Sequence, residues 1–264
     1  MSVLEFGIQT NGIKHTHEDP MPNIDKRFHM VKESGVFDYV DKTPELSEIE
    51  EFKKCSRKYQ LPVKAGGWFY KIGEHRELFK KNFKTAKELG SSIHNTQILS
   101  TKSNGILATD LDIRDVYLEA YDLGCKYGVT PCFEVHVNMW SEDFLRVSRV
   151  GKLVEEAGVE FNMTLDHSHV IFKINNPKEQ KVFNIDKQIL SGELVLDPFS
   201  KRNVVEEWIN FGWVRHCHAR SAIPNNPLNI FGKHPDGSIG RGIQYPFKEP
   251  KVNDYHEKWD INLL

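Results

Sequence analysis

The order of elements in this sequence predicts an α/β chain folded as a (β/α)8-type TIM barrel whose eighth βα unit is atypical or missing. Three observations lead there. Short apolar runs alternate with helix-spaced stretches seven times. No GxGxxG follows the first run, where an open nucleotide-binding sheet would often carry one. From about residue 223 the chain turns rich in proline, glycine and asparagine, with no apolar run fit for an eighth strand. The 264 residues are enough for one large core, so a single domain over 1–264 is expected, ending in that irregular segment.

LEFGIQT reads as the first strand, and Ile24, Phe28 and Val31 give one helical face ending at Gly35. FDYVDKT is the second strand. Leu46, Ile49, Phe52 and Tyr59 mark its helix, and PVKAGGWFY runs as a third strand into a glycine-bearing loop. Phe79, Phe83 and Ala86 lie at helical spacing before Gly90, after which SIHNTQIL is a fourth strand. Val116, Ala120, Leu123 and Tyr127 form the next face before Gly128. TPCFEVH follows as a fifth strand opened by proline. Ser141 reads as the N-cap of a helix bearing Phe144, Leu145, Val150 and Val154, and EFNMTLDHSH as the sixth strand. Residues 171–199 show no clear period. A helix around Val204, Val205, Trp208 and Ile209 closes at Gly212, leaving VRHCHARSA as the seventh strand.

Composition narrows the partners. Lysine and arginine total 35 against 37 acidic residues, a formal charge of -2. That leaves no field to hold a nucleic-acid backbone or an anionic membrane, so a small polar ligand is expected. No stretch approaches the roughly 20 apolar residues of a membrane span. Met1 leads directly into a strand-like run rather than a secretion signal, and a cytoplasmic location is expected. Cys55, Cys125, Cys132 and Cys217 form no CxxC pair and read as reduced thiols.

In a β/α-barrel, chemistry collects where strands end at their carboxyl side. The fifth strand closes on Glu134 and His136, the sixth on Asp166 and His169, the seventh on His216, His218 and Arg220. Carboxylates with imidazole are ligand types for Mn²⁺, Mg²⁺, Co²⁺ or Zn²⁺. Period two puts Glu134 and His136 on one face and His216 with His218 on one face, while Cys217 alternates away and is excluded. His216 and His136 suit either the barrel interior or a hydrogen bond to a ligand. Trp68 and Tyr70 close the third strand, where an aromatic ring either stacks on a sugar or simply packs. His15 and His17 follow the first strand in a polar loop.

FEVH at 133–136, LDHSH at 165–169 and RHCH at 215–218 resemble the xylose isomerase-like barrels, the superfamily of sugar phosphate isomerases and epimerases. The likeness covers nearly the whole chain in element order. It implies a divalent metal, manganese before magnesium, cobalt or zinc, held by Glu134, Asp166 and His218. His169 is implied as a substrate-contacting catalytic group beside Glu134, and Arg220 as a contact to substrate oxygens; from their places at strand ends, His136, His216 and Trp68 are expected to line the substrate. GRGIQYPF at 240–247 looks like the run before the family's eighth strand, which carries a fourth ligand, a glutamate. Here only Glu249 and Glu257 remain, neither closing an apolar strand. The missing acid/base then falls to His136, His169 or His216, or to a neighbouring subunit, or the chain is truncated.

The function so implied is isomerisation or epimerisation of a sugar, sugar phosphate or related polyol, by proton abstraction beside a carbonyl through an enediolate. Lyase or dehydratase chemistry on the same site, including carbon-glycoside cleavage, is the alternative, and a catalytically impaired sugar-binding remnant a further one. Abasic-site phosphodiester cleavage, another activity of the superfamily, fits neither the charge nor the small ligand set. A homo-oligomer, dimer or tetramer, is expected from an exposed seventh-strand edge.

Overall fold

The structure is a computed structural model and describes residues 4–10, 22–182, 184–220, 222 and 224. Seven strands follow chain order in one sheet: β1 (Gly7–Ile8), β2 (Tyr39–Asp41), β3 (Val63–Tyr70), β4 (Ile93–Ile98), β5 (Thr130–Glu134), β6 (Met163–Asp166) and β7 (Val214–His218). The β1–β2, β2–β3, β5–β6 and β6–β7 pairings are parallel. Between strands run α1 (Ile24–Ser34), α2 (Ile49–Tyr59), α3 (Arg76–Leu89), α4 (Asp110–Tyr127) and α5 (Phe144–Glu156). The short α6 (His167–Ile171), α7 (Pro177–Val182) and α8 (Asp186–Ser191) and the seven-residue α9 (Val204–Asn210) separate β6 from β7. The expected alternation is observed. The segment expected to be irregular, with Glu249 and Glu257, lies outside the described residues, as do His15 and His17.

The chain packs as two compact units, one from Met1–Thr96 with Glu119–Pro131, the other from Gln97–Leu118 with Cys132–Leu264. In the first, the apolar face of α1 closes on α2, with Phe28 and Phe52 edge to face at 5.4 Å. Ile24, Val31, Val40, Cys55, Leu61 and Val63 complete that core. The glycine stops are literal: Gly35, Gly90 and Gly128 follow α1, α3 and α4 at φ of 64°, 81° and 71°, a backbone conformation that β-carbons disfavour.

In the second unit Tyr117 organises the base of β6. Its hydroxyl accepts the Asn162 N–H at 2.7 Å and donates to the Glu160 carbonyl at 2.9 Å, and its ring meets Phe133 and Phe161. The N-cap of α5 is Asp143, whose carboxylate accepts the Arg146 N–H, and not Ser141. Ser141 sits in a 3-10 turn over Trp140–Glu142 and serves the end of β5 instead. On α5, Gly151 faces the Trp213 indole: a β-carbon there would stand 2.4 Å from the ring. That ring is buried and tied by its N–H to Glu155 at 2.8 Å, so it has no easy retreat. Gly151→Ala is therefore expected to cost about 1–3 kcal/mol, read as a lowered urea midpoint at unchanged slope. No helix among the described residues is long and apolar enough to cross a membrane.

Candidate metal centre

Register decides which side chains meet at the ends of β5, β6 and β7. Glu134 pairs with Thr164, and Asp166 pairs with His218. The second pairing depends on an irregularity. Met163 lies opposite Val214 but Thr164 lies opposite His216, so β7 carries one extra residue at this step. Without it Asp166 would face Cys217. With it, Asp166 and His218 become parallel-strand neighbours on one face. His216 and His218 are buried, and the intervening Cys217 is exposed on the other side of the strand. The four cysteines are free thiols.

Both carboxylates are wholly buried. Glu134 Oε1 lies 3.0 Å from His218 Nδ1, and Oε2 accepts a hydrogen bond from the Gln97 side-chain amide at the end of β4. Burial alone would raise its pKa. The charge and hydrogen bond of His218, with the charge of His136, outweigh that and hold it at about 2. Asp166 Oδ1 caps α6, accepting the Ser168 N–H at 3.2 Å and the Ser168 hydroxyl at 2.5 Å. Its Oδ2 lies 2.8 Å from Arg220 Nη2, 3.4 Å from His169 Nε2 and 4.0 Å from His218 Nδ1. None of these contacts has hydrogen-bond geometry, so Oδ2 is a buried acceptor without a hydrogen-bond partner.

Burial would also raise the Asp166 pKa, but the positive groups of His169, Arg220 and His218 hold it well below the usual carboxylate range. Burial prevails at His169 and pushes its imidazolium pKa down against the pull of Asp166. Arg220, charged at any working pH, is then the dependable counter-charge to Asp166. Arg220, the residue expected to contact substrate oxygens, has its guanidinium on this carboxylate.

One atom each from Glu134, Asp166 and His218 fall within 4.8 Å of one another, and so do atoms from Glu134, His136 and His169. Around an ion with bonds of about 2.0–2.2 Å, adjacent ligands stand about 3 Å apart and opposite ones about 4.2 Å. The spacings of 3.0 Å and 4.0 Å about His218 Nδ1 match that range. The orphaned Oδ2, the paired carboxylates and the imidazole suit a divalent cation. Arg220 meets Asp166, the His218 imidazole lies beside both Asp166 and Glu134, and together they offset the buried charge.

The remaining expected residues divide. His169 is buried on α6 one turn past Asp166, its ring 4.3 Å from that of His136 and neither nitrogen hydrogen-bonded. His136 lies beyond the end of β5, its N–H donating to Ser141 Oγ at 3.2 Å and its Nδ1 2.8 Å from the Val137 carbonyl. His216 packs its ring 4.9 Å from His218, with Nδ1 3.3 Å from Thr164 Oγ1. Trp68 belongs to the first unit, half-buried and stacked on Phe69 at 6.0 Å. Tyr70 is a core residue there, its hydroxyl shared with Asn82 and His94.

Sequence reasoning missed Gln97, whose signal is an amide near the end of β4, as Glu134 closes β5. It also missed Ser168, and the buried Lys173, which donates to Glu142 and, at 2.9 Å, to Glu179.

No protein-family model matches the chain, and no curated protein does. Among solved structures it is similar to a 3-keto-D-glucoside 4-epimerase, YcjR, from E. coli, at 15% identity over 88% of this chain and 82% of that one, with a TM-score of 0.53. It is also similar to the probable 3-DHS dehydratase AsbF of petrobactin synthesis from Bacillus anthracis, at 10% identity over 84% and 75%, with a TM-score of 0.53. A third likeness, to the IolI protein with a binding zinc atom, has 17% identity and a TM-score of 0.47, and spans 63% of this chain and 64% of that protein, just under two thirds of its length. At these identities the first two likenesses show the fold alone.

Proposed function

We propose that the protein is a divalent-metal-dependent isomerase or epimerase acting on a sugar, sugar phosphate or related polyol. One observation carries the reading: two buried carboxylates and an imidazole converge within 4.8 Å at the carboxyl ends of β5, β6 and β7, beside the buried His169, whose Nε2 lies 3.4 Å from Asp166 Oδ2. Glu134, Asp166 and His218 would hold the ion, manganese first among the candidates. When bound, it supplies Lewis-acid polarisation of a carbonyl and its neighbouring hydroxyl, which acidifies the adjacent C–H.

The chain's own groups then divide the work. His169 has a ring nitrogen to accept or return a proton, while Glu134 stays ionised and so suited to hold a cation. Arg220 and the Ser168 hydroxyl fix Asp166 in place, and Gln97 fixes Glu134. His136 and His216 flank the ligands as groups for substrate hydroxyls. The epimerase and dehydratase among the structures of like fold make proton removal beside a carbonyl the natural chemistry to test first.

The test is NMR of a ketose and aldose panel in D₂O with Mn²⁺-loaded protein. The expected result is deuterium at the carbon beside the carbonyl with substrate mass otherwise conserved. Loss of water or an aglycone would move the assignment to elimination. No exchange and no elimination with any member of the panel would contradict it.

A further inference from the structure

We infer that Glu142 is a positioning residue for Glu134, acting through the turn that follows β5, with Lys173 holding Glu142 in place. The inference rests on the proposed metal site, in which Glu134 is a ligand, and assigns groups outside that site.

Charge balance gives the first indication. Lys173 is fully buried between Glu142 and Glu179, each 1% exposed. One carboxylate would neutralise the ammonium. A buried pair already recovers its desolvation cost poorly, and a second buried carboxylate adds a cost that neutralising Lys173 does not require. Glu142 uses its two oxygens differently. Oε1 meets Lys173, and Oε2 accepts the Asn138 N–H at 2.7 Å.

Asn138 is where the chain needs such a hold. Its φ of 65° is left-handed, a conformation that asparagine tolerates but that still strains a residue with a β-carbon. The next residue toward β5 from Glu142, Ser141, ties the same turn to the metal ligand: its hydroxyl donates to the Glu134 carbonyl at 2.6 Å and accepts the His136 N–H at 3.2 Å. Both residues lie in the 3-10 turn Trp140–Glu142, which the Glu142 N–H closes onto the Met139 carbonyl at 3.1 Å. Segment 134–142 is therefore fastened twice, at Glu134 by Ser141 and at Asn138 by Glu142. Lys173 is itself held, its carbonyl accepting from the Gln180 side chain at 2.6 Å.

The experiment compares Glu142→Met with Glu179→Met in the full chain. Each leaves Lys173 one carboxylate, so both should fold, and a loss of stability alone would affect them alike. Mn²⁺ affinity is measured by isothermal titration, and exchange of the Asn138 amide by NMR on metal-free protein. The Mn²⁺ dissociation constant should rise about 10-fold in Glu142→Met and stay within about twofold of wild type in Glu179→Met, the lower end of what loss of a ligand's supporting hydrogen bonds does. The Asn138 amide should exchange much faster in Glu142→Met alone. Glu142→Gln, which keeps an acceptor oxygen for that N–H, should recover most of both effects. Should Glu142→Met fail to fold, Glu142→Asp, one methylene short of spanning both partners, carries the same predictions against Glu179→Asp. Equal shifts in the paired variants, or wild-type affinity and Asn138 protection without Glu142, overturn the inference and leave the metal site standing. Wild-type protein that takes up no Mn²⁺ overturns the metal site, and this inference with it.

Discussion

Glu134→Gln and Asp166→Asn should each weaken divalent-ion binding by more than about 100-fold, because loss of even an outer hydrogen-bond partner of a metal ligand typically costs 10–100-fold. The two substitutions keep side-chain size while removing the charge and replacing one acceptor oxygen with an NH2 group. Each also leaves its local anchors in place: the Ser168 hydroxyl can still donate to the amide oxygen that takes the place of Asp166 Oδ1, and His218 remains beside position 134. Solvent-exchange activity should fall to the detection limit in both. Isothermal titration with Mn²⁺ measures the first effect and the D₂O assay the second. An unchanged dissociation constant in either variant would remove that residue from the site. Ser168→Ala provides a graded comparison, since it removes one of the two hydrogen bonds to Asp166 Oδ1 and should weaken binding less than Asp166→Asn does.

The second large effect concerns stability. Lys173 is fully buried and lies between Glu142 and Glu179, both about 1% exposed. Removing one partner of a buried ion pair strands the other charge, which costs about 3–5 kcal/mol. Lys173→Met removes a buried counter-charge from two carboxylates, and a loss within that range is expected from urea denaturation near pH 7. The effect has a sign in pH. Burial already raises the Glu142 pKa, with Lys173 the main opposing influence, and without the ammonium it rises further. A carboxyl with a raised folded pKa destabilises the fold above its unfolded value and ceases to do so once protonated. The deficit of the variant should therefore shrink as pH falls toward about 4, the ordinary range for glutamate. A deficit below about 1 kcal/mol at pH 7, or one independent of pH, would contradict this. The triad also bears on the site, because Glu142 holds the Asn138 turn that follows His136, and Lys173 follows the helix carrying His169.

Much of this was legible in the sequence. Helix faces such as Ile24, Phe28 and Val31, and stops such as Gly35 and Gly90, announce themselves because burial and the left-handed terminus each demand a residue type. Glu134, Asp166 and His218 stand out because a charged group closing an apolar run has no core role. What escaped depends on pairing and three-dimensional context. The extra residue in β7 opposite Met163–Thr164 sets Asp166 against His218, and register is a property of two strands, not of one. α7 and α8 are six residues each, too short for a helical period to show. Ser141 resembles a cap, yet Asp143 takes that role while Ser141 bridges Glu134 and His136. Lys173 reads as a solvated charge until Glu142 and Glu179 are seen to enclose it.

The most direct measurement is diffraction from a Mn²⁺-soaked crystal at the manganese edge. The expected result is an anomalous peak within bonding distance, about 2.0–2.3 Å, of Glu134, Asp166 and His218 Nδ1. Manganese bound elsewhere in the crystal, with Arg220 and His218 still neutralising an ion-free pair of carboxylates, would contradict it.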